Sequence, residues 1–352
     1  MRLARGVRRR LPRVLPWPMV FQVLGVAAAV WLVINTWQIW LLVFTALIIA
    51  AAILPAARVG ERYRVPRAVT VLGVYVVAAA LASLMGVLLW PALSEQAQQF
   101  MRQLPAMVEN VKGWVGDVDL YLGRWGAELP APKTENFQEL AGALIANTLR
   151  VTAGVLGIAV GLLAVIIVAA YLVIDARQVG TTLLALVPPA HRDTGRRLAG
   201  PVLDRIGGYV RGQLVSSLFV GALIAIGLTA LGVRYGLLIG AIAAVFNIVP
   251  FVGATIAFVL GVLSALNQSL GLAVAAALLM WGAQAIEGKF LAPHFVGRAT
   301  GLHPLVVLLA LLAGAHLGGL IGVLVAVPLV AAAWEIVRTL WVEPRAGAPP
   351  GI

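Results

Sequence analysis

The stretch FNIVPFVG, residues 246–253, sits inside an apolar run from Leu237 to Leu263 that is long enough to cross a bilayer. Asn247, Pro250 and Gly253 interrupt that run near its middle. A proline removes a backbone donor and clashes with the preceding turn, at about 3 kcal/mol in a helix interior, and an asparagine amide finds no partner in lipid. Insertion still succeeds, since each Leu, Ile, Phe or Val near the membrane centre contributes about −0.3 to −0.6 kcal/mol and the run holds more than a dozen of them. The segment can therefore span while being broken. Amides and carbonyls freed by such a break are tolerated at membrane depth only where they are buried in protein or line a watery cavity. Discontinuous helices of this kind build substrate and ion sites in many secondary transporters. The alternative is a proline kink packed by neighbours, with Asn247 bonded to a facing helix.

The surroundings of this stretch set the fold class. Of 352 residues, 61% are hydrophobic and 11% charged, and the charges fall in blocks between long apolar runs. Runs of about 20 residues match a hydrocarbon core of roughly 30 Å, whereas a transmembrane barrel would show alternating segments of about 10. The sequence predicts an all-α polytopic membrane protein of about eight spans, near 19–34, 38–57, 68–90, 151–174, 214–232, 237–263, 270–287 and 303–337. The last run exceeds one span, and Gly314, His316, Gly318 and Gly319 interrupt it, so it reads as one tilted helix or as two half-helices. The division is a basic N-terminus with three spans over 1–90, an extracytoplasmic helical segment over 91–150, a transmembrane core over 151–342 and a tail over 343–352.

Charge asymmetry predicts the orientation. Arg2, Arg5, Arg8, Arg9, Arg10 and Arg13 precede the first span, Arg58, Arg62, Arg64 and Arg67 fill the 58–67 loop, and Arg177, Arg192, Arg196, Arg197, Arg205 and Arg211 lie in the 175–211 loop. These three segments are cytoplasmic by the positive-inside rule, which leaves 91–150 facing outward. Trp37, Trp40, Trp90 and Trp341 stand at predicted span ends as an aromatic belt. The formal charge of +12 is explained by topology and anionic lipid, so no nucleic-acid partner is expected. The basic N-terminus reads as the start of a retained helical hairpin rather than a cleaved signal, because Asn35-Thr36 leads directly into a second span. No cysteine is present, which excludes disulfides and thiol chemistry.

In the 91–150 segment, Leu93, Ala97, Phe100, Leu104, Val108 and Val111 recur at helical spacing, Pro130 and Pro132 mark a break, and Asn136 with Glu139 opens a further helix. Over 192–211 the basic residues ride above Leu198, Val202, Ile206 and Val210, a pattern that usually lies at the lipid surface. Gln284 and Glu287, three apart on one helical face, supply the second polar feature of the core. A carboxylate near hydrocarbon is a candidate proton or cation site, and the alternative is a water-exposed pair with Lys289. Small residues recur every fourth position at Gly232, Gly236 and Gly240, and again at Gly314, Gly318, Gly322 and Ala326, as close helix packing requires.

Three ordered motifs carry a resemblance. VLDRIGGYVRGQ (202–213), FNIVPFVGATIAF (246–258) and LAPHFVGRATGLHPLVVLLALLAGAHLGGLIGVLVAVPL (291–329) resemble the autoinducer-2 exporter family of bacterial membrane proteins, also called the PerM family. The resemblance implies an inner-membrane transporter of about eight spans, with members linked to export of autoinducer-2 and others to sodium-proton antiport. The family's Asn-x-x-Pro-aromatic-x-Gly break corresponds to Asn247, Pro250, Phe251 and Gly253. Its Arg-Gly-Gln corresponds to Arg211, Gly212 and Gln213, and its C-terminal motif to Pro293, Gly297, His303, Pro304, Gly322 and Pro328.

The expected path for substrate or ion is thus Asn247, Pro250, Phe251, Gly253, Gln284 and Glu287, with Arg211, Gly212, Gln213, Pro293, Gly297, His303, Pro304, Gly318, Gly322 and Pro328 as structural or gating residues. The four histidines are scattered, and no H-E-x-x-H or G-x-S-x-G occurs, so no catalytic site, metal or cofactor is expected. The near match GAQAIEGKF (282–290) has the wrong spacing for a phosphate loop. Expected partners are the lipid bilayer, a small polar solute or cation, and further copies of the chain. A gradient-driven carrier, a channel or passive facilitator, and a membrane scaffold all remain open readings of these residues.

Overall fold

The computed structural model describes residues 17–123, 160–250, 252–291 and 302–342, and every regular element among them is helical. The helices are α1 (Trp17–Asn35), α2 (Trp37–Arg62), α3 (Arg67–Gly123), α4 (Val160–Ile174), α5 (Ala176–Leu186), α6 (Arg192–Ala230), α7 (Gly236–Phe246), α8 (Val252–Leu266), α9 (Leu270–Ile286) and α10 (Pro304–Val337). Five helical stretches are long and apolar enough to cross a membrane, or six if α4 and α5 count as one bent span. Large apolar side chains remain exposed along α2, α3, α6, α9 and α10, as lipid-facing surfaces require.

One end of the bundle is basic and tied by ion pairs. Arg58 meets Asp204 at 2.8 Å, and Glu61 takes Arg67 at 2.6 Å and Arg177 at 3.4 Å. At the opposite end, the Gln96 side chain accepts from the Leu238 amide at 3.0 Å, Asn110 donates to Asn267 at 2.6 Å, and Phe100 meets Tyr235 edge-on at 5.4 Å. That second end is built by α3, a single 57-residue helix that contains Pro91 and Pro105 and merges the predicted third span with the first part of the 91–150 segment. The expectations at Pro130, Pro132, Asn136 and Glu139 lie outside the described residues.

The run 237–263 proves to be a hairpin and not a broken crossing. Gly253, at the start of α8, lies against the Asn247 backbone at the end of α7, while the Ser264 hydroxyl donates to the Arg234 carbonyl at 2.8 Å. The chain therefore reverses between α7 and α8. With 11 and 15 residues, the two arms reach only about 16 and 22 Å, short of a roughly 30 Å core. Both arms start and finish at the α3 end, so the tip is held inside the apolar layer.

The long last helix also folds back. Gly319 adopts φ 55° and ψ −139°, a conformation open to glycine alone, inside what otherwise passes as one 34-residue helix. A Cβ on Gly314 would stand 2.8 Å from the Ala326 Cβ, whereas twelve residues of straight helix would separate the two by about 18 Å. α10 is thus two half-helices, 304–318 and 320–337, joined at a tip that touches Leu41 near the start of α2. Its second arm ends at Glu335 beside Arg205, so this hairpin enters from the basic end, opposite to α7–α8. Tyr209, Val249, Leu311 and Val327 pack together where the two hairpins meet on α6.

Two further expectations change. The stretch 192–211 is the first half of α6, continuous with the following span, and Ile206 packs with Ala51 and Ala332 instead of lying on lipid. The surface helix is α5, turned 82° from α4. The glycine ladder at 232–240 seals α6 against α7: Gly232 makes the turn at φ 77°, and a Cβ on Gly240 would fall 2.6 Å from the Ala225 backbone.

Candidate functional site

The tip of the α7–α8 hairpin carries a buried polar cluster. α7 ends at Asn247 because Pro250, three residues on, cannot continue the helix, and Gly253 then allows α8 to start against the Asn247 backbone. Any side chain at 253 would strike the Phe246 and Asn247 main chain. Asn247 is 2% exposed, and its side chain Nδ2 donates to Glu287 Oε1 at 2.7 Å. Ser216 of α6, 1% exposed, donates its hydroxyl to the same oxygen at 2.9 Å. Gln213, one turn earlier, donates to the Asn247 carbonyl at 2.6 Å and so satisfies a backbone group that the end of α7 leaves open.

Glu287 opens a π-helical turn, 287–291, that continues α9. The wider turn breaks the regular hydrogen-bond ladder at the residue that carries the charge, a placement that recurs at functional sites. Two neutral donors hold Oε1, and among the described residues no cation and no further donor reaches the carboxylate. The carbonyl-rich ends of α7 and α9 meet here, adding negative potential to that of the carboxylate. A carboxylate in such a setting suits a cation and disfavours an anion. Ser216 lies twelve residues beyond Asp204 on α6, about 18 Å in from the ion-paired basic end.

The sequence model described as AI-2E family transporter matches residues 19–341. The chain belongs to that family. Among its relatives, YrrI of Bacillus subtilis is 29% identical over 311 residues, 85% of each chain. MT0215 of Mycobacterium tuberculosis is 27% identical over 326 residues, 90% of this chain and 86% of the relative. YueF of Bacillus subtilis is 24% identical over 288 residues, 79% of this chain and 77% of the relative. All three bear the name "Putative transport protein". The protein is a multi-pass membrane transporter.

In this AI-2E family member the predicted residues divide sharply. Asn247, Glu287 and Gln213 come together, Pro250 and Gly253 shape the tip, and Gly212 is buried in α6 beside them. Gln284 shares the helical face of Glu287, but its Nε2 is buried with no partner among the described residues. Ser216 was missed, since a serine in an apolar helix carries no signal of its own; only its spacing of three from Gln213 places the two on one face. Phe251, Pro293 and Gly297 lie outside the described residues.

Arg211 has a structural task instead. Pro55 inside α2 leaves the Ala51 carbonyl without its helical donor, and Arg211 Nη1 donates to Ala51 and Ala52 oxygens at 3.4 and 3.2 Å. His303 caps the first arm of α10, its Nδ1 accepting from the Leu305 amide at 3.3 Å, with Pro304 in the first turn. Gly318 and Gly322 serve the fold-back at Gly319, and Pro328 is buried in the second arm.

A buried carboxylate elsewhere escaped the sequence reading. Glu335, 2% exposed, takes Arg205 at 2.6 Å and Arg338 at 3.0 Å. It binds the second arm of α10 to α6 at the basic end.

Proposed function

We propose that this protein is a carrier for a small polar metabolite or signal, or for cations, driven by a proton or sodium gradient across a bacterial inner membrane, with its basic end cytoplasmic. The observation that carries this reading is Glu287, a carboxylate at a hairpin tip, held by neutral donors and without a paired cation among the described residues. Protonation or cation binding there neutralises the group and alters its hold on Asn247 and Ser216, which belong to different helices. Occupancy thereby biases the position of the α7–α8 tip against α6. Moving one charge through a 100 mV potential supplies about 2.3 kcal/mol, enough to shift a two-state equilibrium nearly fiftyfold. Two hairpins that enter from opposite ends and meet at Val249 and Leu311 offer one barrier toward each side, as alternating access requires.

The test is flux of autoinducer-2, the cargo that the family's description suggests, in proteoliposomes with sodium and proton gradients imposed in turn. Uphill cargo movement under one of these gradients is expected. Cargo movement that ignores both gradients would replace the carrier with a passive pathway.

A further inference from the structure

The elbow between α4 and α5 leaves a cavity at the basic end that the transport site does not use. α5 turns 82° from α4 and lies across the end of the bundle, roofing a space of about 400 Å³. Ala50 and Leu54 of α2, Leu172 of α4, Val179 of α5 and Val202 of α6 are among its walls, and Arg196 is the one charged residue that lines it among the described residues. Arg196 is exposed and has no hydrogen-bond or ion-pair partner among the described residues. Its neighbour Arg197 is exposed as well, and Arg192 spans the gap to α5, donating to the Val187 and Ala185 carbonyls at 3.0 and 3.2 Å. On α5 itself, Leu183 and Leu186 are 59% and 78% exposed, an apolar surface at the level where the arginines begin. A helix with these features lies in the headgroup layer with its apolar side toward the acyl chains.

We propose that this cavity binds an anionic phospholipid, one acyl chain filling the space beneath α5 and the headgroup phosphate pairing with Arg196. The occupant must offer a long hydrocarbon and an anion in one molecule, delivered at the membrane surface. The bilayer supplies that molecule in excess, and basic pockets between helices at this level recognise anionic headgroups. A soluble anion satisfies Arg196 and leaves the apolar walls empty, while an uncharged lipid fills the walls and leaves Arg196 unpaired. The bound lipid braces α5 against α6, the helix that also carries Ser216 and Gln213.

The structure supplies two separate handles on the site. Gly180 lines the cavity, and a Cβ there would meet nothing within 4 Å, so Gly180→Phe fills the space without a clash at its first atom. Arg196→Ala removes the charge from an exposed position. The experiment is native mass spectrometry of the detergent-solubilised full chain with equimolar phosphatidylglycerol and phosphatidylcholine of identical acyl chains. The wild type should retain phosphatidylglycerol about fivefold over phosphatidylcholine, the ratio expected for one Arg at a membrane surface. Arg196→Ala should bring that ratio near one, Gly180→Phe should remove both adducts, and Arg234→Ala at the opposite end should change neither. Equal retention of the two lipids by the wild type overturns the proposal. So does retention of phosphatidylglycerol that Gly180→Phe leaves intact, because a headgroup bound at the surface alone is indifferent to the cavity.

Discussion

Two carboxylates are held by the packed helices, Glu335 buried and Glu287 half-buried, and they are treated in opposite ways. Glu335 is clamped between Arg205 and Arg338, whereas among the described residues Glu287 has only the amide of Asn247 and the hydroxyl of Ser216. Desolvating a carboxylate is expensive, and two guanidinium partners offset that cost in a fixed arrangement that leaves nothing to exchange. Neutral donors offset less of it and leave the charge available. The comparison teaches that burial alone does not mark a working carboxylate. The partners decide, and a paired one is a clasp.

The comparison breaks most readily at the clasp. Glu335→Ala removes the buried carboxylate that Arg205 and Arg338 share and should destabilise the protein by about 3–5 kcal/mol, read as a large drop in melting temperature in detergent. An unchanged melting curve would show that the ion pair holds nothing. Asn247→Ala removes one of two donors to Glu287 and should cost about 1.5–3 kcal/mol, expressed mainly as altered ion dependence of transport. Gly253→Ala pushes a methyl group into the Asn247 backbone and should destabilise by about 1–3 kcal/mol, while Gly73→Ala on α3, where a Cβ meets open space, should be neutral or slightly stabilising. Equal effects at these two glycines would contradict the closed hairpin tip.

The smallest effect concerns Glu61 at the basic end. Its carboxyl is held below the usual range, first by the hydrogen bond from Arg67 and then by the charges of Arg67 and Arg177. A group whose folded value is depressed adds stability above its unfolded value and loses it as the pH falls. Melting followed between pH 6 and 3 should therefore decline less steeply in Glu61→Gln than in the wild type.

Much of the candidate site was legible in the sequence because its members violate the apolar pattern around them. An asparagine and a proline in mid-run, and a glutamate at the end of another, are costly in lipid and so stand out. Direction was not legible. Whether the chain continues or reverses between α7 and α8 depends on Gly253 meeting the Asn247 backbone, a contact between residues whose approach no periodicity encodes. The same holds at Gly319, where the glycines of the ladder face one another across a fold-back. Ser216 is silent because serine is tolerated in apolar helices. Glu335 was passed over, although Arg338 three residues later places the pair on one face; Arg205, the partner that defines its role, lies 130 residues away.

The central claim is that Glu287 is the group through which an ion gradient acts. The direct measurement is gradient-driven flux in proteoliposomes for the wild type and Glu287→Gln, at matched incorporation and with both proteins melting within a few degrees of each other. The amide keeps the size of the side chain and can still meet Ser216, but it does not take up a proton in the physiological range and brings no negative charge to a cation. The account predicts that gradient dependence falls at least tenfold in the variant. Gradient dependence equal to that of the wild type would contradict it.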